Sequence, residues 1–142
     1  MKKSLIILAF ISLAITHLQA QSFEGFYKDY IEKMKTEGPS YSKKICTPDF
    51  IFITGHSGEL YGPEQFFKMV GTPQKIPNYK NEVKKMIELD DLVIVTGIAT
   101  LPMGKTIYKD AFTYTFQKIE GEWKLAMAHH TKIDYKEIEA GK

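Results

Sequence analysis

Residues 107–133 read IYKDAFTYTFQKIEGEWKLAMAHHTKI, which is two β-strands joined by a tight turn at Glu120-Gly121. One parity of the first strand gives Tyr108, Asp110, Phe112, Tyr114 and Phe116; the other gives Ile107, Lys109, Ala111, Thr113, Thr115 and Gln117. Successive strand side chains point to opposite faces, so the aromatic set is the expected buried one. The second strand sets Trp123, Leu125, Met127, His129, Thr131 and Ile133 against Lys124, Ala126, Ala128, His130 and Lys132. A regular hairpin about that turn predicts Phe112 opposite His129, Tyr114 opposite Met127 and Phe116 opposite Leu125. A slip of one residue would turn a buried face to solvent. The same register sets Asp110 opposite Thr131 and diagonal to His129, a polar island in an aromatic wall and the main functional clue.

The ends and the composition bound the rest. Met1-Lys2-Lys3, an apolar run over 5–15 and a small-residue end at Ala20 predict a removable secretory leader over 1–20. The run is shorter than the roughly 20 apolar residues that span a bilayer, so no stable membrane anchor is expected. The expected location is the periplasm or the exterior of a bacterium. Beyond the leader a single domain is expected over 21–135 and a polar tail over 136–142, long enough for one core and no more. The chain has 19 basic and 17 acidic residues, and two of the basic ones, Lys2 and Lys3, lie in the leader, which leaves 17 against 17. That balance carries no nucleic-acid footprint. Every basic residue is lysine, which argues against a bidentate clamp for phosphate or carboxylate. Cys46 is the sole cysteine, so no disulfide forms within the chain, and it reads as a small buried filler.

Upstream, Phe23, Phe26, Tyr27, Tyr30, Ile31 and Met34 fall at helical spacing, ending at Gly38-Pro39. A shorter helix is expected over 40–46, then a strand over 49–54, a turn at Gly55-His56-Ser57-Gly58, and Glu59-Leu60-Tyr61 returning. Gly62-Pro63-Glu64 opens another helix, with Pro63 at its first position. Residues 79–89 alternate, with Val83, Ile87 and Leu89 inward; Lys85 breaks that parity and predicts either a bulge or a lysine reaching a pocket. Residues 92–101 are apolar on both parities, as in a strand covered on both faces.

This order of helix, short helix, strand pair, helix and four long strands ends in Gly121-Glu-Trp123-Lys-Leu-Ala-Met-Ala-His129-His-Thr131. With the Gly58…Gly62 hairpin leading into a helix, it resembles the nuclear transport factor 2-like superfamily, in its SnoaL-like and calcium/calmodulin-kinase-association-domain-like bacterial branch. The resemblance spans residues 23–133. It implies an α+β, cone-shaped roll: a strongly curved antiparallel sheet wrapped around N-terminal helices and enclosing a pocket. Relatives of that fold include isomerases, cyclases, dehydratases and members that only bind or dimerise, so the fold alone does not fix a function.

If the sheet curves in that way, Tyr27, Tyr30, Phe50, Phe52, Tyr108, Phe112, Trp123, Met127 and Thr131 line a largely aromatic cavity. His129 is then a candidate general acid/base, Asp110 its orienting carboxylate, and Tyr114 (or Tyr30) a donor to a developing oxyanion. A polar cluster that merely fixes register reads from the same residues. The leading expectation is a secreted domain that binds a small apolar or aromatic molecule. The alternatives are an acid–base enzyme of the ketosteroid isomerase-like or SnoaL-like kind, and a homodimeric interaction module without an active pocket. A homodimer across the sheet is expected under all three, through residues 92–101 and the small outer face of Ala126 and Ala128. No cofactor and no metal are expected, because no two histidines or carboxylates have ligating spacing.

Overall fold

The computed structural model describes residues 22–137; the expected leader (1–20) and residues 138–142 of the expected tail lie outside the described residues. Helix α1 spans Phe23–Glu37 and buries Phe23, Phe26, Tyr27, Tyr30 and Met34. Its first turn is capped by Ser22, whose Oγ accepts from the Gly25 N–H at 3.2 Å, satisfying one of the donors a helix start leaves open. The expected short helix is a 3₁₀ segment, Gly38–Lys44. Strand β1 (Cys46–Ile53) and the two-residue β2 (Leu60–Tyr61) form the hairpin ahead of helix α2 (Pro63–Val70). Gln65 Oε1 accepts the Gly62 N–H at 2.9 Å, closing the start of α2.

Four long strands complete the sheet: β3 (Lys80–Leu89), β4 (Leu92–Met103), β5 (Thr106–Ile119) and β6 (Glu122–Glu137). Strand β6 runs two residues past the expected domain end at 135. The β5–β6 turn has Glu120 at φ 51° and Gly121 at φ 84°, the doubly left-handed pair of a two-residue hairpin, for which glycine is the unstrained choice. The six strands lie in the order β2-β1-β6-β5-β4-β3, in one curved sheet that does not close. The α+β roll is as expected, with one difference: β1 joins β6 in parallel rather than antiparallel fashion. The chain between them crosses over through α2 and the other strands, which is what a parallel neighbour requires.

The concave face holds the core. Phe116 is fully buried and meets the rings of Phe23, Phe26, Tyr27 and Tyr30 at centroid separations of 5.3, 5.5, 5.9 and 5.6 Å. Trp123 packs edge-on to Phe23 at 5.0 Å. On β4, Val93, Val95 and Ala99 are buried, while Leu92, Ile94, Ile98 and Thr100 on the other face are half-buried. The strand is therefore covered fully on one side only.

Strand β3 carries the bulge expected near Lys85. Val83 pairs with Gly97 and Lys85 with Thr96, so Lys84 is the extra residue. The bulge inverts the remainder of the strand, so Ile87 pairs with Ile94 on the convex side; Val83, Ile87 and Leu89 are all exposed instead of inward. Gly97 sits where the bulged strand and the Phe112 ring both press on β4. A Cβ there would lie 2.1 Å from the Glu82 carbonyl oxygen and 2.9 Å from the ring.

Candidate functional site

One residue decides which histidine reaches the interior. Phe116 pairs with Leu125 as a regular hairpin requires, but Thr115 pairs with Met127, leaving Ala126 as a bulge in β6. From there to Lys132 the side chains of β6 change face, until a second bulge at Ile133, where Asp110 pairs with Lys132 and Lys109 with Asp134, ends the inversion. Tyr114 is opposite Ala128, Phe112 opposite His130, and Thr113 opposite His129. The expected register of His129 opposite Phe112 and Met127 opposite Tyr114 is thus corrected. His129, Met127 and Thr131 lie on the convex side with Thr113, Thr115 and Ala111, and His130 takes the interior position. Ala128 likewise leaves the expected outer face and is buried between Tyr114 and Phe52.

The corrected register brings the polar residues together. His130 Nδ1 lies 3.1 Å from Asp110 Oδ2, and His130 Nε2 lies 3.3 Å from the Tyr114 hydroxyl. The imidazole is also flanked by the Phe52 and Tyr114 rings, at 5.6 and 5.7 Å between centroids. Both polar side chains are mostly covered, His130 at 20% and Asp110 at 15% exposure. Asp110 Oδ1 is buried and has no hydrogen-bond partner.

Beyond Tyr114 the hydrogen bonds continue through the core. Tyr114 is hydrogen-bonded to Tyr79. The Tyr79 oxygen accepts from Asn81 Nδ2 at 3.1 Å, and Asn81 Oδ1 accepts from the Tyr27 hydroxyl at 2.9 Å. The chain links α1, β3, β5 and β6. Burial raises the Tyr30, Tyr79 and Tyr114 hydroxyls above their ordinary range, and Tyr27 likewise, so all four remain protonated phenols at neutral pH.

These groups form one end of a cavity of about 560 Å³. Of the residues the sequence offered, Tyr30, Phe52, Tyr108, Asp110 and Tyr114 line it. Tyr27, Phe50, Phe112 and Trp123 are instead buried in the core and do not line it. The lining that the sequence reading missed includes His130, Ala128, Tyr79, Phe66 of α2 and the loop carrying His56 and Glu59. That loop lies against β6: the Gly55 carbonyl accepts the Lys132 N–H at 3.4 Å, so the mouth is tied to the strand that bears His130. Lys85 pairs with Thr96 and is not part of the lining.

Burial pushes the Cys46 thiol up to about 12, so it stays protonated and is not a nucleophile at neutral pH. Among the described residues, no group of three or more His, Cys, Asp or Glu side chains is arranged to hold a metal ion.

No family model and no curated protein matches the chain. Solved structures do. A proposed ketosteroid isomerase from Parabacteroides distasonis is 14% identical with a TM-score of 0.66, covering 84% of this chain and 93% of that one. A proposed calcium/calmodulin-dependent kinase II association domain from Exiguobacterium sibiricum is 14% identical with a TM-score of 0.65, covering 82% and 95%. A nuclear transport factor 2-like protein of unknown function from Prochlorococcus marinus is 18% identical with a TM-score of 0.63, covering 80% and 95%. At these identities the likeness is one of fold.

Proposed function

We propose that this chain, whose fold is that of the nuclear transport factor 2-like superfamily, binds a small apolar or aromatic molecule in its conical cavity. One observation carries the reading: a void of about 560 Å³, within the size range of small-molecule sites, has largely aromatic and aliphatic walls and holds the Asp110–His130–Tyr114 cluster. A core built only for stability would close on itself, since interiors pack like organic crystals. The leader expected at 1–20 supports a location for this activity in the periplasm or the medium.

Thermal denaturation with a panel of aromatic ligands tests the proposal. A bound ligand at a hundredfold its Kd adds about 2.7 kcal/mol to the stability of the folded state and raises Tm. Ala128→Leu projects into the cavity between Tyr114 and Phe52 and is expected to abolish that rise. Failure of every member of the panel to move Tm would overturn the proposal.

A second reading, acid–base catalysis, is supported by the contact of His130 with Asp110 and Tyr114. A carboxylate on Nδ1 fixes the imidazole tautomer and leaves Nε2 as the basic atom. The base in this reading is His130, not His129. A homodimer across the convex face is supported by Ile51 and Ile87, 43% and 40% exposed, beside the half-buried Ile94 and Ile98. The neighbouring association domains, by their name, assemble.

A further inference from the structure

We infer that the polar end of the cavity is built to accept a hydrogen bond, and that its ligand is an aromatic alcohol or phenol rather than a ketone, ether or carboxylate. The inference rests on the cavity being a binding site, and it comes from counting protons along the buried chain. A carboxylate can only accept, so His130 Nδ1–H donates to Asp110 Oδ2. In the neutral ring Nε2 is then an acceptor, and the Tyr114 hydroxyl donates to it. Tyr114 has one proton and uses it there. Deeper in the core, Tyr79 accepts from Asn81 Nδ2, and Asn81 Oδ1 accepts from Tyr27.

The two protons at the polar end, on His130 Nδ1 and on the Tyr114 hydroxyl, are therefore both committed. A ligand carbonyl or ether oxygen arriving here finds no donor without breaking a buried hydrogen bond, which costs the full desolvation of the group left unpaired. The acceptor side is the reverse. Asp110 Oδ1 is buried with no partner, although buried polar atoms are almost always satisfied. A ligand hydroxyl supplies the missing proton after a small turn of the carboxylate. Anions are disfavoured as well: Asp110 and Glu59 line the cavity, and no lysine does. An ammonium ligand would have to give up far more hydration than a hydroxyl to enter aromatic walls.

The test compares 2-naphthol with 2-methoxynaphthalene, the same skeleton without the donor proton, by calorimetry or ligand fluorescence. The unaltered protein is expected to bind the naphthol at least tenfold more tightly, and Asp110→Asn to reduce that preference below threefold. The first comparison needs no variant, so it stands even if the variant misfolds. Equal or tighter binding of the methyl ether overturns the inference and leaves the cavity as a binding site. A preference undiminished in Asp110→Asn also overturns it, because the proton is then received elsewhere. Binding of neither probe overturns the inference together with the proposed function.

Discussion

Raising the pH above about 10 is expected to destabilise this protein progressively until it unfolds. Tyr27, Tyr30, Tyr79 and Tyr114 are all buried, and burial holds each phenol above its ordinary value. A phenol that keeps its proton longer in the folded state gives its full stabilisation below the unfolded value of about 10. Above that value the unfolded chain releases protons that the native chain retains, and stability falls as pH rises toward the folded values. Each buried phenol adds to this loss, and the four act together against the small net stability of an ordinary domain. Tyrosinate absorbance tracked alongside circular dichroism checks this. The expected result is that the four buried phenols ionise only as the fold is lost. Retention of the fold to about pH 12, or ionisation of all the tyrosines at the ordinary value in the folded state, would contradict it.

Gly97→Ala is expected to destabilise the fold by about 3 kcal/mol or more, the upper end of what overpacking a tight site costs. The added carbon would lie 2.1 Å from the Glu82 carbonyl oxygen and 2.9 Å from the Phe112 ring. Backbone cannot swing aside as a flexible side chain can, so β3 or β4 must move, and the bulge at Lys84 moves with it. Gly62→Ala is the matched control, since its Cβ would meet only Gln65 Oε1 at 3.6 Å. Urea denaturation of both variants measures the difference. A Gly97→Ala midpoint no lower than that of Gly62→Ala would refute the tight approach.

Much of the fold was legible because strand parity is a strong signal wherever aromatics crowd one face. Phe112, Tyr114 and Phe116 specified the inner wall of β5, and Glu120-Gly121 specified the turn. The parallel partner of β6 was not legible, since β1 carries nothing that states direction. Nor was the bulge at Ala126. After Leu125 each parity of β6 offers one histidine, with small residues or a methionine beside it, so hydrophobic pattern cannot decide between Met127-His129 and Ala128-His130. What decides is tertiary: Ala128 takes the buried place between Tyr114 and Phe52. Asp110 was recognisable as a polar residue on an aromatic face, but its partner was then assigned one residue too early. Tyr79 and Asn81 could have been noticed only as polar residues of an edge strand, and their contacts with α1 and β5 depend on how the sheet curls.

A nuclear Overhauser spectrum with assigned histidine ring protons tests the register at the site most directly. Cross-peaks from the His130 ring to the rings of both Phe52 and Tyr114 are expected, since their centroids lie 5.6 and 5.7 Å away, with none of these from His129. Cross-peaks joining the His129 ring to Tyr114, with His130 showing no contact to either aromatic, would remove the bulge at Ala126 and the dyad built on it.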